Sequence, residues 1–333
     1  MIFFIRYYSG GIAKMIYPIK TQPIFKQYIW GGDSLKKKFN KDVPFDTAAE
    51  SWEISCHNDG LSLVADGEYK GKTLKEVIFS NKKEMLGRED TQVFPLLVKI
   101  LDAKDSLSVQ VHPDNEFAAK HENGELGKTE MWYIIDAKPG ANLVFGLKEG
   151  TSPEILKSSI EDGTLEEHLN YVPVKKGDYL YIPSGTIHAI RDGILIAEIQ
   201  QSSNTTYRVY DYNRVDKDGN KRPLHVEKAV LATNYENIGN IPEPSPDVEI
   251  PGGKFEQIAK CEYFTVEKYE TRTFVEIEKE TDKFEMLVFT DGAGIIAYNG
   301  KEYDFRAGDS FFIPAAMEKY TVSGECEFLR SFE

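Results

Sequence analysis

Apolar and polar residues alternate over short runs along most of this chain, and the repeat is close to two. "SLSVQVH", "MWYIIDA", "ANLVFGL", "DYLYIP" and "ILIAEIQ" are β-branched or aromatic runs of strand length, separated by Gly, Asn and Pro turns. The last third continues in kind with "EYFTVEKY", "FEMLVFT", "GIIAYNGKEYDF", "DSFFIP" and "CEFLRSF". Asn299-Gly300 predicts a tight hairpin there, because both central positions of a primed two-residue turn need positive φ. Helical spacing is rarer. Leu74, Val77, Ile78 and Leu86 predict an amphipathic helix running to Gly87. Thr151 with Glu154 and Thr164 with Glu167 each fit a capping box, and Pro153 suits a first turn. "PLHVEKAVLATN" is a third helical patch.

One strand-turn unit occurs twice. Lys175 to Ile190 reads "KKGDYLYIPSGTIHAI", and Arg306 to Val322 reads "RAGDSFFIPAAMEKYTV". Both have Gly-Asp, an aromatic and apolar run, then Ile-Pro; Gly185 and His188 of the first become Ala316 and Lys319 in the second. Short strands in two groups, each with its copy of this unit, predict an all-β protein of two repeated sandwich or jelly-roll domains with a small helical insertion. The Pro-, Gly- and Asn-rich stretch Asn237 to Gly253 marks the boundary. The expected organisation is a first domain over 15–240, a linker over 241–253 and a second domain over 254–333. "MIFFIRYYSGGIAK", before Met15, reads as a disordered or misassigned extension (1–14), too short and too poorly charged for a secretory signal.

Composition narrows the function. With 333 residues, 41% hydrophobic and 28% charged, the chain is an ordinary folded protein of about two domains. No apolar run approaches the roughly 20 residues that span a bilayer, so no membrane partner is expected. A net charge of −14 argues against nucleic acid, which needs a clustered positive surface, but leaves room for a small phosphorylated ligand. Cys56, Cys261 and Cys326 form no C-x-x-C pair and fit a reducing, cytoplasmic setting.

Candidate chemistry sits on three segments. As a strand, "SLSVQVHPD" puts Leu107, Val109 and Val111 on one face and Ser108, Gln110 and His112 on the other. That polar row is either exposed or lines a cavity. "GKTEMWYII" carries Glu130 into an apolar strand, where it either pairs with Lys128 just outside the sheet or points inward. His188 follows the "PSGT" turn; the second copy folds the same turn without a histidine, so His188 points to a task of the first domain alone. His112, Glu130 and His188 together form an N2O ligand set to which Gln110 adds an amide oxygen. It fits Zn(II) or another divalent first-row ion with a position left for water or substrate. A site with one carboxylate and no thiolate keeps Lewis acidity toward a carbonyl or hydroxyl oxygen. His57, His121, His168 and His225 have no local signal for a site.

The Gly177-to-His188 pattern G-x5-P-x-G-x2-H resembles the second cupin motif. "ESWEIS" (50–55), "FPLLVKILDA" (94–103), "LSVQVHPD" (107–114), "GKTEMWYII" (127–135) and "QQSSNTTYRVYDY" (200–212) together resemble the type I mannose-6-phosphate isomerases in their short bacterial form. The resemblance runs from about Ile19 to the C-terminus. It implies two cupin jelly rolls, the first catalytic and the second metal-free, with one zinc per chain and interconversion of mannose 6-phosphate and fructose 6-phosphate through an enediol. Its metal ligands fall on Gln110, His112, Glu130 and His188, its active-site arginine on Arg208, and its pocket lysines on Lys99 and Lys128. The expected partner is a small phosphorylated sugar, and the expected assembly a monomer or weak homo-oligomer. Two departures stand out: Gln110 replaces the first His of the general cupin H-x-H, and a long helical domain of larger relatives is missing. The rival readings are a metal-dependent cupin oxygenase or decarboxylase, disfavoured by Gln110, and a non-catalytic sugar-binding bicupin.

Overall fold

The computed structural model describes residues 16–215, 218–236 and 245–333. The N-terminal stretch before Met15 and the start of the expected linker, 241–244, lie outside the described residues. Antiparallel strands dominate, as the period-two pattern predicts. A six-stranded sheet runs in the spatial order Tyr179–Ile182, Glu130–Ala137, Ile194–Gln201, Leu96–Ala103, Glu50–Ile54, Ile24–Lys26. A five-stranded sheet runs Leu169–Pro173, Asn142–Leu147, His188–Ile190, Val109–Val111, Tyr207–Tyr210. Leu107, Leu143, Phe145 and Ile190 pack with Trp132, Ile134, Leu180 and Ile196 in one apolar cluster, so the two sheets face each other as a sandwich.

The six-stranded sheet is covered on its other side as well. Leu96, Val98, Ile100, Met131, Tyr133, Ala197 and Ile199 join a core with Phe264, Val266, Met286, Val288, Phe312 and Leu329 of the C-terminal repeat. Every residue of Leu96–Ala103 and Ile194–Gln201 is therefore buried, including Lys99 and Glu198. A strand with core on both faces reads as a continuous apolar run, and any charge on it must find a partner inside.

The C-terminal repeat is built on an eleven-stranded sheet in which the 14-residue strand Glu285–Tyr298 pairs with Ser310–Ile313 and Cys326–Phe332 along its first half and with Lys301–Arg306 and Lys319–Ser323 along its second. The N-terminal strand Ile19–Gln22 belongs to it, pairing with Ser310–Ile313. The later part of the expected linker is not irregular: Val248–Ile250 forms a hairpin with Gly253–Lys260, because its alternating apolar residues find an open sheet edge. Asn299 and Gly300 have φ of 48° and 73° and join Tyr298 to Lys301 as a two-residue turn.

Two helix expectations are corrected. The predicted helix over 74–87 is two helices, Leu74–Phe79 and Lys82–Leu86, the second ending at left-handed Gly87. Asn81 breaks it, turning its side-chain amide to the Val77 carbonyl (3.3 Å), a local alternative to helical hydrogen bonding. The helix Pro153–Asp162 is capped by Ser152, whose Oγ accepts from the Ile155 N–H, while Thr151 Oγ donates to the Lys148 carbonyl. Thr164 precedes only a 3-10 turn and makes no side-chain cap.

The repeated unit folds alike in both halves. Gly177 and Gly308 take φ of 91° and 88°, and Asp178 and Asp309 each accept the backbone N–H three residues back at 2.9 Å. The interiors differ. Glu130 pairs in register with Ile182, and Glu285 pairs in register with Ile313, so Glu285 holds the place of Glu130. Arg330, opposite Leu287, holds the place of Glu198, opposite Trp132. In the second repeat a guanidinium thus meets the buried carboxylate: Arg330 pairs with Glu285 and with Glu267 (2.8 Å), and Tyr320 donates to Glu285 (2.7 Å). Phe289, Phe305, Phe311, Phe328 and Met317 pack in one cluster with Tyr320. Lys319, the counterpart of His188, points to solvent. Arg330→Leu is expected to cost about 3–5 kcal/mol in denaturant unfolding, because it strands a buried carboxylate, and Glu285→Gln in the same chain should restore part of it. A loss no larger than that of an exposed ion pair would show that Glu285 finds another partner.

Candidate active site

His112, Glu130 and His188 come from three separate stretches and meet between the facing sheets. Their ligand atoms lie within 4.8 Å of one another, and the residues are 1%, 0% and 1% exposed. Glu130 opens its strand in the six-stranded sheet; His188 opens one in the five-stranded sheet; His112 follows directly on Val109–Val111. Gln110 lies opposite His188 in the ladder, and Arg208 lies opposite Gln110 on the other side. Directly paired residues of an antiparallel ladder share a face, so His188, Gln110 and Arg208 form one row looking into the sandwich.

Hydrogen bonds aim the two imidazoles. His112 Nδ1–H donates to the Thr205 carbonyl at 2.8 Å, and His188 Nδ1–H donates to the Thr186 carbonyl at 2.9 Å. Each ring therefore turns an Nε2 lone pair inward, the arrangement that outer partners impose on metal-binding histidines. The Nε2 atoms stand 3.7 Å (His112) and 3.3 Å (His188) from the Glu130 oxygens; the oxygen nearer His112 also pairs with the Lys128 ammonium at 2.7 Å, and the other has no hydrogen-bond partner. Burial, with the charge of Lys128, lowers both histidines, His188 to about 4, so both are neutral and able to bind a cation near neutrality. Burial and the adjacent Glu198 charge push Glu130 upward. A buried carboxylate with one oxygen left unbonded, beside two inward lone pairs, suits a divalent ion, and this donor set fits the group that the sequence predicts. Gln110 ends 3.4 Å from His188 Nε2 through its amide nitrogen, and a half-turn of that amide presents Oε1 instead.

The lysines sit against the same group. Lys128 Nζ is 3.0 Å from His112 Nε2 and 2.7 Å from Glu130. Lys99 is in register with Glu198 on the neighbouring strand, pairs with it at 3.1 Å, and stands 3.9 Å from Glu50. Burial alone would lower Lys99, yet Glu198, Glu50 and Glu130 outweigh it and keep the ammonium charged. Burial likewise works against ionised Glu198, but Lys128 and Lys99 hold its carboxyl well below the usual range. Trp132 closes the back of the site, donating to Glu198 at 3.1 Å and meeting His188 edge-on.

A cleft of about 300 Å³ opens from these residues to the surface, bordered by Gln110, Lys99, Lys128, Arg208, Glu50 and Glu198. Arg208 is fixed at its rim, donating to Ser108 Oγ (3.2 Å) and the Pro223 carbonyl (3.0 Å). The structure thus brings all seven sequence candidates together: Gln110, Lys99, Lys128 and Arg208 border the cleft, and His112, Glu130 and His188 lie buried against Lys128 and Gln110. Sequence reasoning missed Glu198, Glu50 and Arg222, which also border the cleft. Glu198 carries the signal that marked Glu130, a carboxylate inside an apolar strand. Arg222 lies in a polar loop and carries none.

Comparison with known proteins agrees with this geometry. Residues 19–139 match the family described as "Phosphomannose isomerase type I, catalytic domain", and residues 254–333 match "Mannose-6-phosphate isomerase, cupin domain". A "Mannose-6-phosphate isomerase" of Streptococcus mutans is 41% identical over 318 residues, 95% of this chain and 98% of that protein. "Mannose-6-phosphate isomerase ManA" of Bacillus subtilis is 39% identical over 94% of this chain and 98% of its own length. The crystal structure of a mannose 6-phosphate isomerase from Bacillus subtilis superposes with a TM-score of 0.89 at 39% identity, covering 94% of this chain and 99% of that one.

Proposed function

Because this chain belongs to the type I mannose-6-phosphate isomerases, in their short bacterial form, we propose that it interconverts mannose 6-phosphate and fructose 6-phosphate with one zinc ion held by His112, Glu130, His188 and Gln110. The observation that carries the metal reading is the pair of buried, inward Nε2 atoms beside the Glu130 carboxylate, with the ligand atoms of all three residues within 4.8 Å of one another. A bound divalent ion would polarise the sugar's carbonyl and hydroxyl oxygens.

The chain's own groups do the rest. Aldose–ketose interconversion removes the proton from C2, gives an enediol, and returns a proton to C1, while a proton passes from the C2 hydroxyl to the oxygen on C1. A group that takes and returns the carbon-bound proton must stand beside the sugar and change its charge there. Lys128, packed against His112 and Glu130, suits that task. Lys99 makes no contact with His112, Glu130 or His188; paired with Glu198 and Glu50, it serves better as a fixed positive charge near the developing enediolate. Arg208, in the row beside Gln110, extends positive charge from the reacting end toward the cleft mouth. Trp132 and Leu101 wall off bulk water on the inner side.

Purified protein is expected to form fructose 6-phosphate from mannose 6-phosphate, to lose turnover on chelation and to regain it with zinc. Folded, zinc-loaded protein without turnover would remove the isomerase assignment. Restoration by iron or manganese but not by zinc would remove the zinc assignment.

A further inference from the structure

The charges of the cleft are divided between its two ends. At the inner end, Lys99 and Lys128 face three carboxylates, Glu50, Glu130 and Glu198, and pair with them directly. At the outer end, Arg208 and Arg222 border the cleft, and the one carboxylate near them, Asp211, is clamped by Arg222 and, from behind, by Arg214. An anionic group on a ligand therefore meets uncompensated positive charge only toward the mouth, while the inner lysines are already engaged.

Arg222 is held there by an unusual piece of chain. The strand Tyr207–Tyr210 ends at Asp211, and Tyr212 and Asn213 both take left-handed backbone with φ of 54° and 52°. Two such residues in succession are uncommon outside glycine and mark a backbone conformation held by its surroundings. They turn the chain back so that Val215 bridges Lys221 and Arg222 returns beside the strand. Arg222 then gives its Nε–H to Asp211 Oδ2 (2.7 Å) and one Nη2–H to Oδ1 (2.6 Å). Arg214 Nη2 shares Oδ1 and also reaches the Ser106 carbonyl through Nη1, pinning Asp211 from the other side. Asp211 is 6% exposed. A guanidinium whose Nε edge is clamped in this way keeps three N–H groups in a fixed plane for a second anion, and this one borders the cleft.

We propose that Arg222 grips the phosphate group of the sugar phosphate at the cleft mouth, and that Asp211 is the positioning residue that sets the plane of its guanidinium. This inference deepens, and rests on, the reading of the site as that of a sugar-phosphate isomerase. The phosphate end would lie with Arg222 and the reacting end with the buried histidines, so the substrate enters sugar first.

The test compares Arg222→Gln, Arg222→Lys, Asp211→Asn and Asp211→Glu with the wild type, all zinc-loaded. Arg222→Gln is expected to raise KM for mannose 6-phosphate about 10- to 100-fold, the weight of a lost charged hydrogen-bonding partner, with kcat changed less than about three-fold. The inhibition constant of inorganic phosphate should rise in parallel. Arg222→Lys should fall between, keeping charge without the fork. Asp211→Asn should shift KM in the same direction by a smaller factor and leave kcat alone, with Asp211→Glu recovering part of it; a merely structural Asp211 would lower the melting temperature without that split. Unchanged KM and phosphate inhibition in Arg222→Gln would overturn the proposal, as would a fall in kcat as large as that in kcat/KM. If the wild type proves not to turn over, calorimetric titration with inorganic phosphate still decides the point. Weakening of ten-fold or more in Arg222→Gln upholds the role of Arg222, while equal binding, or no binding by the wild type, overturns it.

Discussion

Replacing His188 with alanine is expected to abolish zinc binding at the proposed site and lower turnover more than roughly 100-fold, because loss of an outer partner of a metal ligand alone costs about 10- to 100-fold. The argument starts from neutrality. His188 is buried, is kept unprotonated by its surroundings and is aimed by the Thr186 carbonyl, so its Nε2 is a ready donor. Without it, His112 and Glu130 remain as the firm donors, with Gln110 as a neutral amide that binds weakly. The fold should survive. The second repeat makes the same Gly-Asp turn and Ile-Pro strand end with Lys319 in this position, which shows that the turn does not need the imidazole. Metal content by atomic emission, turnover and thermal melting on one preparation separate the outcomes. Full zinc occupancy with normal turnover in a folded His188→Ala protein would remove this residue from the ligand set.

The two lysines should part company when each is replaced by alanine. Lys128→Ala is expected to lower kcat by about 10²–10⁴-fold, the usual contribution of a positioned acid or base, with KM little changed. Lys99→Ala should act differently. It leaves Glu198 buried without its 3.1 Å partner, so reduced stability, by about 3–5 kcal/mol, precedes any kinetic effect. Steady-state kinetics with denaturant unfolding on both variants gives the comparison. Equal, modest rises in KM with kcat intact would turn both lysines into phosphate ligands and remove proton transfer from Lys128. Such a result would also compete with Arg222 for the phosphate, so the lysine and arginine variants check each other.

Much of the site was legible because its residues break local patterns. Glu130 interrupts an apolar strand, His112 and Gln110 share one face of a period-two run, and His188 is present in one copy of a repeated unit and absent from the other. Each of these signals is contained within about ten residues, the range over which alternation and turn chemistry act. Glu198 carried the same signal as Glu130 and passed unnoticed among its apolar neighbours. The helix over 74–87 failed for a reason equally local, the competition of Asn81 with the helix backbone.

By itself, the sequence determined that this is a strand-built protein with a repeated strand-turn unit and, in the first copy, an imidazole–carboxylate set able to hold a metal, because pleat period, turn residues and donor chemistry are properties of short segments. Tertiary structure alone decided what those segments do to one another. Lys99 is a fixed cation because strand register sets it opposite Glu198, and the face of the six-stranded sheet turned away from the cleft is buried because the second repeat packs against it. Arg330 neutralises Glu285 where the first repeat gathers His112, Glu130 and His188, and Arg222 reaches the cleft because two left-handed residues bring it back to Asp211. These pairings join positions far apart in the chain, and their energies exist only once burial has removed the water that would otherwise screen the charges.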